Sequence, residues 1–297
     1  MRRTLLAFIC LLYIIPYKFA YGTEAGKITF VYGNREKANK SCLRGWGFTV
    51  LIQYDGKKVL FNTGGNERVL ANNLKVLNID PKKLDALVLS HEHWEYYQAI
   101  GVILRANPGI PVYLTNALDT MISPDYPKSK KNFRVVSGVT AITSNFLLMK
   151  IKSGRFQGGP FGIDEIHIIL KTPEGLVIVE GCGHPQVLNV VQKSKAYTKE
   201  NRVAMLMGGT WLHRRGSHYN IPDSGEDFYA IQMFNWSDMD YANLAKNLQN
   251  EGVKWIIPTH CTGEPAETIF KAAFGKYYIN ELLGMSVRIP PTDKPIY

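Results

Sequence analysis

Short apolar segments alternate along the chain with segments that repeat apolar residues at helical spacing. Runs rich in β-branched and aromatic residues predict strands at Ile28–Tyr32, Phe48–Tyr54, Lys58–Asn62, Ala86–Leu89, Val112–Leu114, Glu165–Lys171, Leu176–Glu180, Val203–Met207 and Lys254–Ile257. Apolar residues three or four apart predict helices at Glu67–Leu77, Ala99–Ala106, Val187–Gln192, Tyr241–Gln249 and Thr268–Phe274. This alternation favours a layered α/β fold. No linker rich in Pro, Gly or Ser separates the halves, so residues 23–297 are predicted to form one domain.

The first 22 residues differ in character from the rest of the chain. Arg2 and Arg3 precede an apolar run from Leu5 to Ile15, and the small residues Ala20 and Gly22 close the segment. This pattern is typical of a secretory signal peptide, and the run is too short to span a bilayer comfortably. We therefore expect an exported protein, periplasmic or secreted, with no stable membrane anchor after cleavage. The competing interpretation is an uncleaved N-terminal anchor.

The chain is basic, and its charge bears on the partners to expect. Cleavage after residue 22 removes three basic residues and no acidic one, so the formal net charge falls from +10 to +7. This charge is compatible with a small anionic substrate, although a solvated basic surface is the favoured interpretation. The local cluster of Lys128, Lys130, Lys131 and Arg134 lacks the interleaved aromatic residues of a single-strand binding groove. A nucleic acid partner is therefore not expected.

Three cysteines remain after the predicted cleavage: Cys42, Cys182 and Cys261. This number is odd and small for a disulfide framework, and pairing cannot be read from spacing. Cys182 and Cys261 lie beside histidines that follow strands. They are interpreted either as soft secondary metal ligands, as a bridged pair, or as small buried residues of their turns.

Histidines follow three of the predicted strands directly. His91 and His93 come after Ala86–Leu89, His184 follows Leu176–Glu180 through a glycine turn, and His260 follows Lys254–Ile257. Sites in α/β sheets are built at strand ends, and two imidazoles two residues apart in a turn can converge on one ion. Imidazole suits zinc, iron, copper or nickel. A single histidine in such a place is more often structural, so the pair carries the prediction of a metal site.

The strand-end motifs together resemble those of the metallo-β-lactamase superfamily, and the resemblance covers roughly residues 27–290. They are Asn62-Thr63-Gly64, His91-Glu92-His93-Trp94-Glu95-Tyr96, Gly181-Cys182-Gly183-His184 and Thr259-His260. Within the superfamily they are most similar to the group containing the archaeal dihydropterin synthase of methanopterin biosynthesis. That similarity rests on Leu89–His93, Gly175–Pro185, Gly208-Gly209 and Pro258–Glu264.

The resemblance implies a four-layer αββα sandwich with a metal site at one edge of its two sheets. It implies that His91, His93 and His184 hold the first metal, expected to be a single zinc ion, with another transition metal as the alternative. Three protein ligands leave a position open for water, which zinc activates near neutral pH.

The sequence departs from the superfamily at the second metal position. Glu95 and Tyr96 stand where an aspartate and a histidine are usual, and His260 occupies the third place. A second ion is therefore expected to be weak or absent. Glu95 is predicted to act as a base or as a shifted ligand, and Tyr96 to donate a hydrogen bond to a developing oxyanion. His260 is predicted to contact substrate or to belong to a weak second site.

Two further departures concern the surroundings of the metal. Asn62 replaces an aspartate that would orient ligands, and Trp211 occupies a place where the subgroup has histidine. Two function classes follow. The first is an exported metal-dependent hydrolase acting on a small ester or phosphoester. The second is a secreted or periplasmic binding protein without turnover that retains the fold and a vestigial metal site. The pterin synthase activity of the resembled group is not expected for this chain, because an exported protein would not meet that cytosolic pathway.

Overall fold

The computed structural model describes residues 26–154, 162–213, 217–229 and 236–289, and the predicted signal peptide lies outside these ranges. The strands are β1 Gly26–Tyr32, β2 Thr49–Tyr54, β3 Lys57–Phe61, β4 Ala86–Val88, β5 Val112–Leu114, β6 Phe133–Val135, β7 Val139–Thr143, β8 Phe146–Lys152, β9 Asp164–Thr172, β10 Gly175–Glu180, β11 Val203–Gly209, β12 His218–Ile221, β13 Glu226–Tyr229, β14 Val253–Thr259 and β15 Ser286–Ile289. The α-helices are α1 Glu67–Val76, α2 Trp94–Tyr97, α3 Ile100–Ala106, α4 Asn116–Ile122, α5 Val187–Thr198, α6 Asp238–Asn250 and α7 Ala266–Phe274.

Two large sheets stack on each other and helices cover both outer faces. One sheet has the strand order β15-β1-β2-β3-β4-β5-β6 and the other has β14-β11-β10-β9-β8-β7. Because side chains alternate along a strand, Val59 and Phe61 enter the core between the sheets, whereas Leu60 packs in the outer core with residues of α1, α3 and α4. The opposite outer core contains residues of α5, α6 and α7. The predicted four-layer αββα sandwich is confirmed.

Local sequence signals account for several of these elements. Asp55 and Gly56 both have positive φ, 51° and 71°, and they join antiparallel β2 and β3 as a two-residue hairpin turn of the type that Asp-Gly favours. Helix α6 begins at a capping box, in which the side chains of Ser237 and Asp240 each accept a backbone N–H from the other residue. Turn chemistry and capping thus fix element boundaries that hydrophobic periodicity leaves open.

The parallel strands of both sheets end at one edge of the sandwich. β3, β4 and β5 run parallel in one sheet, and β10, β11 and β14 run parallel in the other. The two sheets are joined at this edge by a hydrogen bond of 2.9 Å from the backbone N–H of Ile166 to the carbonyl of Ser90. Residues that follow these strands are therefore brought together although they are far apart in sequence.

Some elements are not revealed by the sequence pattern. The hairpin of β7 and β8, helix α4, the small sheet of β12 and β13, and β15 were not predicted. β8 is buried at five of its seven positions, so its sequence forms an apolar run without the alternation that identifies a strand. Within the described ranges, no helix is both long and apolar enough to cross a membrane.

Candidate metal centre

The three histidines predicted to hold the first metal lie together at the shared edge of the sheets. The ring centroids are 4.7 Å apart for His91 and His93, 4.9 Å for His91 and His184, and 4.7 Å for His93 and His184. One ligand atom from each, with the sulfur of Cys182, forms a cluster in which all atoms lie within 4.8 Å of one another. The sequence prediction of converging histidines agrees with this geometry.

His91 has the hydrogen bonding of a metal ligand. Its Nδ1 is 2.8 Å from the hydroxyl of Ser90, whereas its buried Nε2 has no hydrogen-bond partner among the described residues. Burial lowers the pKa of His91 well below its usual value, with neighbouring histidines adding to the shift, so the ring is neutral. A neutral imidazole with one nitrogen oriented by a hydroxyl and the other unused fits a metal ion.

Asn62 supports this histidine through the backbone. Its side-chain oxygen accepts the backbone N–H of Ser90 at 2.8 Å, and Ser90 in turn contacts His91. Asn62 is fully buried, has a positive φ of 64° and follows β3 directly. The amide thus keeps the hydrogen-bond acceptor of the usual aspartate but supplies no charge, as expected from the sequence.

A buried glutamate holds the turn that carries Cys182 and His184. The carboxylate of Glu165, on β9, accepts the backbone N–H groups of Cys182, Gly183 and His184 at 2.7, 3.0 and 2.9 Å. Burial raises the pKa of Glu165, and the N–H groups of the turn offset part of that shift. Gly183 is required here, since its φ is +80° and a Cβ would lie 2.9 Å from the carbonyl oxygen of Gly209.

The sulfurs of Cys182 and Cys261 meet beside the histidines. Both cysteines are buried and free, and the two sulfurs lie 3.1 Å apart. The backbone N–H of Trp211 also donates to the Cys261 sulfur at 3.2 Å. Burial raises the pKa of the Cys182 thiol well above its usual value. Of the interpretations left open by the sequence, Cys182 reaches the ligand cluster, whereas Cys261 contacts the cluster through Cys182.

Glu95 and His260, which the resemblance assigns to the second metal position, lie close to each other. Their Oε1 and Nε2 atoms are 3.9 Å apart, and the other ring nitrogen of His260 is 3.2 Å from the side-chain oxygen of Asn34. Burial raises the pKa of Glu95 and lowers that of His260 well below its usual value. Neither residue belongs to the ligand cluster found in the described part of the chain.

Tyr96 fills the space between the two positions. Its ring is fully buried and packs at 4.3 Å from the ring of His91 and 5.4 Å from that of His260. The hydroxyl points to the cysteine pair, at 4.0 Å from the Cys261 sulfur. Burial raises the pKa of Tyr96 well above its usual value, so the phenol is neutral. Its role as an oxyanion donor stays a prediction.

The remaining histidines lie outside the cluster of metal ligands. His213 is buried, with its Nδ1 2.9 Å from the hydroxyl of Tyr219, while His218 pairs with Asp227 on the exposed hairpin of β12 and β13. His167 is fully buried on β9. Glu165 was not identified from the sequence, and its signal is a carboxylate that follows Asp164 at the start of an apolar strand.

Comparison with known proteins agrees with this geometry. Residues 45–188 match the model of the metallo-β-lactamase superfamily. The chain has the fold of the metallo-β-lactamase superfamily and carries a match to its family model. Its second-metal motif is degenerate, since Glu95 and Tyr96 replace the usual residues.

One curated relative of this chain is a synthase. It is the 7,8-dihydropterin-6-methyl-4-(beta-D-ribofuranosyl)-aminobenzene-5'-phosphate synthase of Methanocaldococcus jannaschii, 26% identical over 270 residues, covering 77% of this chain and 84% of the relative.

Solved structures of the superfamily share the fold. A metal-dependent hydrolase of the β-lactamase superfamily has a TM-score of 0.63 at 21% identity, covering 88% of this chain and 98% of that one. A diphosphatase of the PhnP family has a TM-score of 0.55 at 12% identity, covering 89% and 97%. At these identities the likeness establishes the αββα architecture.

Proposed function

We propose that this protein is an exported metal-dependent hydrolase with one zinc ion, acting on a small ester or phosphoester. The observation that carries the proposal is the convergence of His91, His93 and His184, with the unused Nε2 of His91 among them. A zinc ion held by three histidines supplies Lewis acidity and activates water near neutral pH. Two proteins with the same fold are a metal-dependent hydrolase and a diphosphatase, which is consistent with this chemistry.

Around this ion the chain's own residues have separate tasks. Glu95 is proposed as the base that accepts a proton from the attacking water at its carboxylate, because it lies on α2 directly after the His91/His93 turn. His260, oriented by Asn34, is proposed to contact the substrate. Tyr96 packs its ring between His91 and His260, and it would act as a hydrogen-bond donor to the developing oxyanion only if its hydroxyl turned away from Cys261. Trp46, whose ring lies 4.2 Å from that of His260, restricts the space on that side.

The first test is the metal content of the purified mature protein. Protein from zinc-supplied cells is expected to contain about one transition-metal ion per chain by elemental analysis, and His91→Ala and His184→Ala are expected to lose it. His218→Ala is the matched control, because His218 lies outside the cluster and pairs with Asp227. Wild-type protein free of transition metal would rule out the proposal. With metal present, phosphodiesters, lactones and thioesters identify the reaction class.

A second candidate function is a metal-binding protein without turnover, and the position of Cys182 favours it. Four ligand atoms, three nitrogens and one sulfur, are the donor set of a closed structural zinc site, which leaves no position for water. The two functions therefore differ in whether Cys182 binds the metal. We favour the hydrolase, because the thiol of Cys182 faces Cys261 at 3.1 Å.

Export is proposed from residues 1–22 alone. Intact-mass measurement of the protein made in a secretion-competent host is expected to show loss of about the first 22 residues. A full-length chain recovered in the membrane fraction would support the uncleaved anchor instead.

A further inference from the structure

A cavity of about 390 Å³ lies beside the metal centre, between α5 and α6. Its floor and walls are apolar, formed by Val187, Leu188, Trp211, Leu212, Trp236 and Leu244. This volume falls in the range of sites that enclose small molecules. The cavity is also lined by Gly183, so it borders the turn that carries His184.

Trp211 connects the cavity to the metal centre. It lines the cavity, and its ring centroid is 4.5 Å from that of His184. Its backbone has φ of +51°, a left-handed conformation that is unfavourable for a bulky residue, and its N–H is held by the sulfur of Cys261. Backbone strain of this kind concentrates at ligand sites. A group bound in the cavity would thus lie one indole ring away from a proposed metal ligand.

The lining decides what kind of group the cavity accepts. Asp240 is its charged residue, and no lysine or arginine of the described chain lines it. Among the described residues, a phosphate or carboxylate would therefore meet no compensating charge there. Two tryptophans, Trp211 and Trp236, offer flat faces for stacking, while Asn243 and Asn247 are exposed amides one turn apart on α6 at the rim. Flat apolar walls with amides at the rim suit an uncharged aromatic ring with a polar edge.

We propose that this cavity binds an uncharged, planar aromatic group of the substrate, placed next to the ester bond that the metal centre hydrolyses. The inference that the bound molecule is a substrate rests on the proposed hydrolase function. The binding of this class of ligand to the cavity can be tested without turnover. Trp236 is then a specificity-determining residue, since it lines the cavity from the segment that leads into α6. It lies outside the cluster of metal ligands.

The test measures binding to mature protein from which metal has been removed, by isothermal titration calorimetry. 2-Naphthol is the probe, and its saturated counterpart 2-decalol is the matched ligand without aromaticity. 2-Naphthol is expected to bind at least fivefold more tightly, and Trp236→Leu is expected to weaken it about fivefold, the scale of an aromatic pair. Tyr197→Leu is the control, because Tyr197 is an exposed aromatic residue of α5 outside the cavity.

Each outcome decides a separate claim. Equal binding of the two ligands would overturn the aromatic preference, and naphthol binding unchanged in Trp236→Leu would overturn the location. Leu188→Trp fills the cavity from α5 and is expected to abolish binding. This variant tests the location if circular dichroism shows that Trp236→Leu does not fold. If naphthol binds as expected but naphthyl acetate and naphthyl phosphate esters are not hydrolysed by the zinc-loaded protein, the hydrolase proposal fails and the cavity assignment stands.

Discussion

The carboxylate of Glu165 accepts the backbone N–H of His184 at 2.9 Å, across 19 residues of sequence. The same carboxylate binds the N–H groups of Cys182 and Gly183. The conformation of the ligand turn is therefore set by a strand of the sheet core and not by the turn alone. Because Glu165 is fully buried, its carboxylate moves only if the core moves. This keeps His184 close to His91 and His93.

Replacing Glu165 by glutamine should disturb the turn without changing its volume. The amide keeps one acceptor oxygen and presents an NH2 group to N–H donors, so at least one buried donor loses its partner. We expect the free energy of unfolding to fall by about 2 kcal/mol and the zinc affinity to fall about tenfold. Urea titration measures the free energy of unfolding, and competition with a chelating dye measures the zinc affinity.

The matched control for this change is Glu174→Gln. Glu174 is exposed in the turn between β9 and β10, so the same chemical change there should leave stability and affinity as they are. Equal affinities in Glu165→Gln and wild type would show that the turn holds His184 without the carboxylate.

The site also offers a test of the missing charge at Asn62. Asn62→Asp keeps the oxygen that binds the N–H of Ser90 and adds a negative charge near His91. We expect the metal-free protein to lose stability, because a charge is buried without a partner, and the zinc affinity to rise by about tenfold. Thermal unfolding with and without zinc measures both effects. An unchanged affinity in the folded variant would mean that Asn62 acts through shape alone.

Much of the fold and the histidines of the site could be predicted from sequence, because they depend on local pattern. Strand-end histidines such as His91 and His184 follow apolar runs directly, so local pattern places them at one sheet edge. Glu165 acts across the sheet, and only the pairing of β9 with β10 brings it under the turn. The cavity beside Trp211 depends on how α5 packs against α6, which periodicity does not specify.

The sulfur pair separates the two candidate functions. In the hydrolase, Cys182 stays a thiol directed at Cys261 and the metal keeps an open position. We therefore expect the cobalt-substituted protein to lack an intense sulfur-to-cobalt charge-transfer band, and Cys182→Ser to retain its metal. Cys261→Ser is the control, because Cys261 lies outside the ligand cluster. A charge-transfer band that disappears in Cys182→Ser alone would favour the closed site and the binding protein.

The last prediction concerns the base. Glu95 is buried with its Oε1 3.9 Å from the Nε2 of His260, and glutamine at this position keeps the shape but cannot accept a proton. We expect Glu95→Gln to lower kcat by about a hundredfold or more, the usual contribution of a positioned base. One metal per chain should remain, because the first-metal cluster does not include Glu95. Glu92→Gln, between the two histidines of the motif, is the matched control and should keep most of the activity. Unchanged kcat in Glu95→Gln would remove the base role, whereas loss of the metal would identify Glu95 as a ligand.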